Sequence, residues 1–264
     1  MTTLNDSIRI GGLTLRNRLI MAPMQQYKGT PEGYATDHHV EFYSRRAKHV
    51  SLVIVESTAV SPDGRLFPND IGIFSDAHVE PLRRITDAVH AEGTPAFIQL
   101  SHGGRKSSPE VTKRLVAPSA IAYDETYGTP EELSVADIAA IVEQYRLAAK
   151  RSVQAGFDGI EIHAAHGFLM NQFMSPLSNK RTDGYGGTPE NRARLLRESL
   201  AAIRSEVGKE YPVIVRVSAT DYHEGGLTPE DWARMLKPLE SELDAIDVST
   251  GGLLPVQPAD VYDA

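Results

Sequence analysis

Residues 159–192 read GIEIHAAHGFLMNQFMSPLSNKRTDGYGGTPENR. The run opens on a short apolar segment, Gly159 to Ile162, set between Gly156 and Gly167. Apolar and bounded by glycine, it reads as a buried strand. His163 and His166 follow where that strand should end. A long polar loop then passes Asn179, Arg181 and Asp183 to the Gly186-Gly187 pair. Thr188-Pro189-Glu190 restarts helix, with Thr as cap, Pro at the first helical position and an acid in the first turn. A strand that carries polar side chains to its carboxyl end, then a long loop, then a helix, is the layout of an active-site segment in an α/β protein.

The same alternation extends outward in both directions. Ser7 to Ile10 and Leu13 to Leu15, around Gly11-Gly12, predict a hairpin. Strands are predicted at Leu19 to Met21, Leu52 to Val60, Pro95 to Leu100, Val213 to Val217 and Ile246 to Ser249. Helices are predicted at Thr36 to Lys48, Asp76 to Glu92, Ser134 to Ala155, Pro189 to Val207 and Thr228 to Glu242. Ser134 with Asp137 three residues on has the form of a capping box. Strand then helix repeats about six times, which argues for a parallel sheet covered by helices. A doubly wound sheet usually carries a glycine-rich phosphate loop after its first strand. Here that strand ends in Ala22-Pro23-Met24. Polar residues sit instead at the ends of several strands, at Gln99, His163, Arg216 and Ser249. That distribution suits a (β/α)8 barrel, whose eight units this chain approaches with about six.

The 264 residues suit one large α/β domain or two small ones, and no internal linker divides them. A hydrophobic fraction of 41% is enough for a real core. The net charge of −8 disfavours nucleic acid and anionic membranes as partners. With no cysteine, disulfides, iron–sulfur ligation and thiol catalysis are excluded. No apolar run approaches a membrane span, and MTTLNDSIRI lacks the regions of a signal peptide, so a cytoplasmic protein is expected.

The segment HAAHGFLMNQFMSPLSNKRTDGYGG, with MAPM near the start, IQLSHGGRK after the third strand and VRVSATD on the fifth, resembles the old yellow enzyme family. The QLSHGGRK run resembles its bacterial, thermophilic-like branch. The match runs from about Ile8 to Gly252, and the long central motif is its most specific part. The resemblance implies a (β/α)8 fold, non-covalent FMN, and reduction of activated C=C bonds with NAD(P)H. It also implies that Ala22, Pro23, Met24 and Gln25 lie along the isoalloxazine ring, with Ala59 beside it. By the same resemblance Gln99 hydrogen-bonds the pyrimidine edge and Arg216 faces the N1–C2=O region. His163 and His166 would bind the substrate carbonyl, and Tyr27 would line the same pocket. Three positions depart from the pattern. Gln25 stands where this branch commonly has Cys. Phe168 stands where the family usually has its proton-donating Tyr. The segments corresponding to the last two strands, which bind the FMN phosphate, are not matched, and Leu253 to Ala264 is too short to supply them.

The residues carry competing readings of their own. Hydride addition to the β-carbon of an enone pushes charge onto the carbonyl oxygen, and two N–H donors aimed there stabilise it. The plainer reading of His163 and His166 is a pair of structural histidines; the sharper rival is metal ligation together with Glu161, which a strand places on the same face as His163. Arg216 in VIVRVS must be paired or functional in a strand buried on both faces, and Glu161 is a candidate partner. Gln99 is either a flavin ligand or a solvated strand end. Arg181, Asp183, Tyr185, Asn191 and Arg192 read as loop architecture, and Phe42-Tyr43 as helix packing.

The expectation is therefore a single partial FMN-binding barrel domain, residues 1–264, with a hairpin at its start. It would transfer hydride from NAD(P)H to the C=C bond of a small α,β-unsaturated carbonyl compound. A homo-oligomer is compatible with the sequence. The alternatives are a metal-dependent hydrolase, or a non-catalytic barrel fragment that needs a partner or a further segment.

Overall fold

A computed structural model describes residues 2–255; of the 253–264 tail, residues 256–264 lie outside them. The chain opens with an antiparallel hairpin, β1 (Ile8–Ile10) and β2 (Leu13–Leu15). There follow β3 (Ile20–Met21), α1 (Asp37–Ala47), β4 (Leu52–Ala59), α2 (Val79–His90) and β5 (Ala96–Ser101). A short parallel pair, β6 (Val116–Ala117) and β7 (Glu131–Glu132), precedes α3 (Val135–Gln154) and β8 (Gly159–Ala164). The rest is α4 (Leu169–Met174), α5 (Pro189–Arg192), α6 (Arg194–Val207), β9 (Val213–Ser218), α7 (Pro229–Leu236) and β10 (Ala245–Ser249).

β3, β4, β5, β8, β9 and β10 form one curled sheet in chain order, each parallel to its neighbour. The barrel expectation is met as a six-stranded partial barrel. All eight residues of β4 are buried, as expected of a parallel strand covered on both faces. Ser134 and Asp137 close the expected capping box on α3, and Thr188 caps α5 by accepting from the Asn191 N–H.

Several elements differ from the sequence reading. The predicted 228–242 helix ends at Leu236 and passes into a 3-10 turn over Lys237–Leu239. The loop after His166 contains α4, whose six residues are all buried and therefore show no polar face. The predicted 189–207 helix is broken at Ala193, between α5 and α6. β6 and β7 have two residues each, too few for a periodic signal.

The register sorts side chains into two cores. Ile98, Leu100, Ile160, Ile162, Val213, Val215 and Val217 pack outward against the helices. Leu52, Ile54, Phe97 and Ile214 point inward, where Ile10 and Leu15 of the hairpin close the amino-terminal end. Above that plug the interior turns polar in aligned layers. Ser57, Gln99 and Glu161 occupy one level; His163, Arg216 and Asp247 the next; Ser218 and Ser249 the one above. Polar groups thus gather at the carboxyl ends of the strands, the end where barrels do their chemistry.

Candidate active site

His163 is the last inward side chain of β8 and is almost fully buried. The Ala165 N–H donates to its Nδ1 at 3.2 Å, which leaves the ring proton on Nε2. That Nε2 lies 3.2 Å from His166 Nδ1, and His166 Nε2 lies 2.7 Å from Ser249 Oγ. The chain of donors therefore runs from His163 to His166 to Ser249. Burial, then the neighbouring His166, Arg216 and Lys106, hold His163 well below the ordinary histidine value. Burial, then Arg216 and Lys106, bring His166 down to about 4. Both rings are neutral at pH 7 and present N–H donors without carrying charge.

His166 adopts the left-handed backbone region, with φ 57°. For a residue with a Cβ this costs roughly 1–2 kcal/mol, so the surroundings must impose it. They do so on both sides of the residue. Its N–H donates to Ser218 Oγ at 2.8 Å, and its carbonyl accepts from Lys106 Nζ at 2.9 Å. Lys106 also donates to the Gly252 carbonyl at 2.9 Å, joining the loops after β5, β8 and β10. Gly167 and Gly252 pack backbone to backbone there, and a Cβ on either would overlap the other segment. Burial, reinforced by Arg105, lowers Lys106 to about 8. Phe168 sets its ring edge-to-face on His163, with centroids 4.7 Å apart.

One layer down, Gln99 Nε2 donates to Glu161 Oε2 at 2.6 Å. Burial, then the charge of Asp247, raise Glu161 to about 8, against the pull of Arg216. The expected Arg216–Glu161 partnership is corrected: Arg216 Nε ion-pairs with Asp247 at 3.4 Å, and its Nη1 reaches the Pro23 carbonyl at 3.5 Å. The Asp247 contact is an ion pair without hydrogen-bond geometry, so Arg216 Nε remains buried without a hydrogen-bond partner, while Glu161 also meets Asp247.

The segment from Pro23 to Tyr27, which has no regular structure, closes the site from another side. Gln25 hydrogen-bonds Asp70, and the Gln26 N–H donates to Glu56 at 2.7 Å. Tyr27, with φ 56°, is about half exposed and meets Phe67 edge-to-face at 4.7 Å.

These walls enclose a cavity of about 300 Å³. It brings together Pro23, Gln25, Tyr27, Gln99, His163, His166 and Arg216 from the sequence-predicted set. Ala22 lines a separate, mainly apolar concavity of about 370 Å³ instead, Met24 is 54% exposed, and Ala59 is buried outside the lining. Ser57, Leu66, Phe67 and Phe168 complete the wall; Ser57, Leu66 and Phe67 carry no motif that marks them in the sequence. A concavity of about 380 Å³ between α7 and β10 has a mainly apolar lining and lies outside this polar cluster. Among the described residues no group of three His, Cys, Asp or Glu side chains converges as a metal site, and Glu161 is turned to Gln99.

The chain matches the NADH:flavin oxidoreductase / NADH oxidase family over residues 4–263. It belongs to that family. Among curated relatives, an NADPH dehydrogenase of Geobacillus thermodenitrificans is 45% identical over 254 residues, 95% of this chain and 73% of the relative. The fold matches an old yellow enzyme homologue from Zymomonas mobilis with TM-score 0.87 and 35% identity, over 94% of this chain and 73% of that one. It matches a 2-naphthoyl-CoA reductase with TM-score 0.91 and 29% identity, over 96% of this chain but only 41% of that larger one. The chain is thus an FMN-dependent, NAD(P)H-using oxidoreductase of the old yellow enzyme type, and the hydrolase alternative falls. The cavity fits a flavin: Arg216, whose Nε has no hydrogen-bond partner, and Gln99 bring polar groups to its wall, and Pro23, Leu66 and Phe67 offer apolar surface for a ring.

Proposed function

We propose that this cavity is the flavin and substrate site, and that the chain reduces the C=C bond of small α,β-unsaturated carbonyl compounds. FMN, when bound, supplies the two-electron transfer from NAD(P)H to the substrate. Pro23, Gln25, Gln99 and Arg216 would hold it, with Ala22, Met24 and Ala59 contributing backbone or flanking surface. Arg216 and Gln99 bring donors and positive charge to its polar edge. The observation that carries the reading is the neutral His163–His166 pair in the cavity wall. A substrate carbonyl oxygen can replace His166 as acceptor for His163 Nε2–H, and Ser249 as acceptor for His166 Nε2–H. Two neutral N–H donors then meet an oxygen that becomes anionic as the β-carbon is reduced.

The α-carbon must also gain a proton, and Phe168 has none to give. Tyr27 lines the cavity, and partial burial, then Asp70 and Glu56, raise its phenol above the usual value. It therefore keeps its proton at pH 7 and serves, with solvent, as the donor. A cytoplasmic location is in keeping with a cysteine-free chain that draws on NAD(P)H, and no described helix is long and apolar enough to cross a membrane.

Replacing His163 and His166 by alanine tests the assignment. Each single loss should lower kcat/KM for cyclohex-2-enone by about 10²–10³-fold while FMN stays bound. Unchanged enone reduction in the double variant would sink it.

A further inference from the structure

β4 carries an irregularity between Val55 and Ser57, where its pairing with β5 shifts register. Such bulges re-aim side chains beside functional sites. Here Ser57 faces the cavity, whereas the Glu56 carboxylate meets α1 and the Pro23–Tyr27 segment. Glu56 is completely buried. A carboxylate withdrawn from water costs several kcal/mol unless donors replace the solvent. Its Oε2 accepts from the Gln26 N–H at 2.7 Å, and its Oε1 from the Tyr43 hydroxyl at 3.2 Å. His39 Nε2 lies 3.2 Å from Oε1, close enough for attraction though off the line of a hydrogen bond. The Thr36 N–H donates to His39 Nδ1 at 3.0 Å, so the ring proton is on Nε2, the nitrogen nearer the carboxylate. The Glu56 N–H donates to the Tyr43 oxygen at 2.9 Å, which locks that hydroxyl in place.

None of Glu56, Tyr43 and His39 lines the cavity. What they hold is one backbone amide, in a segment without regular structure whose backbone groups need partners from elsewhere. That amide lies between Gln25, a cavity wall held from its other side by Asp70, and Tyr27, held in the left-handed region.

We propose that Glu56, anchored on α1 by Tyr43 and His39, is a positioning residue for the active-site segment: through the Gln26 N–H it fixes where Gln25 and the Tyr27 phenol stand over the cavity. The link to catalysis rests on the cavity being the substrate site; the link to Gln26 does not. The geometry also explains the apolar α1 face being interrupted by a buried histidine and a buried tyrosine hydroxyl. A hydrogen bond to a charged acceptor is among the stronger ones, so losing it should free the segment measurably.

The test uses flavin-loaded protein and Glu56→Gln, which keeps the shape and removes the charge. Hydrogen exchange at the Gln26 amide should accelerate roughly tenfold or more, with β5 and β8 amides unchanged. Tyr27→Phe should lower kcat for cyclohex-2-enone in the otherwise native chain and have little further effect in the Glu56→Gln background. Tyr43→Phe, which keeps the carboxylate but removes one anchor, should give the same pattern in smaller measure, and it carries the test if Glu56→Gln fails to fold. Unchanged Gln26 exchange, or acceleration spread evenly over the sheet, overturns the proposal. So does faster exchange with the Tyr27→Phe effect intact. If the native chain turns over no enone at all, the substrate reading fails instead, and the exchange result alone decides the role of Glu56.

Discussion

Asp70 is 1% exposed, and its carboxylate accepts the N–H groups of Leu66 and Phe67 at 2.8 and 2.9 Å. Burial raises it from its ordinary 3.8 to about 7, against the lowering effect of those donors and Gln25 and with some help from Glu56. Between these two values the folded chain keeps a proton that the unfolded chain has released. The stability it contributes is therefore fully present below pH 3.8 and is lost as pH rises through 7. The slope is about 1.4 kcal/mol per pH unit, so the whole window is worth about 4 kcal/mol. Asp70→Asn removes the titration but keeps the shape, and a single amide oxygen can accept both backbone N–H groups. Urea unfolding of both proteins at about pH 5 and about pH 8 isolates the effect, because every other titrating group cancels in the difference. The variant should gain about 3 kcal/mol on the native chain over that interval, with unchanged denaturant slope. Parallel stability profiles would show that Asp70 is charged throughout and that the burial argument fails.

Phe168→Tyr should speed enone reduction by about 10²–10⁴-fold if protonation limits the rate, without changing the step in which NAD(P)H reduces the enzyme; single-turnover kinetics separates the two. Leu15→Ala should destabilise by about 2–5 kcal/mol in urea, since Leu15 is 1% exposed among Ile10, Leu52, Ile54, Phe97 and Ile214. A smaller loss would mean the hairpin is not a plug.

Strand and helix positions were legible because the strands are continuous apolar runs and the helices begin on strong caps such as Ser134 and Thr188. α4 was not, since a helix buried on every side has no amphipathic period. Gln99, His163, His166 and Arg216 were readable as polar residues at strand ends, and the fold brings them to one cavity. Their partners were not readable. That Arg216 meets Asp247 and Glu161 meets Gln99 follows from the register of four neighbouring strands, which no local pattern encodes. Glu56 is hidden for another reason: in LVIVESTAV it looks like one more alternating position, and only the bulge sends it to α1. Asp70, in a loop between β4 and α2, has no motif at all and acquires its role from the segment it faces.

The central claim is that the chain passes electrons from NAD(P)H through FMN to an enone held by His163 and His166. An anaerobic titration of the FMN-loaded protein tests it most directly. NADPH should bleach the flavin absorbance, and stoichiometric cyclohex-2-enone should restore it in the native chain but far more slowly in the His163→Ala, His166→Ala double variant. Recovery at equal rates in both proteins, or no recovery in the native chain, would contradict the account.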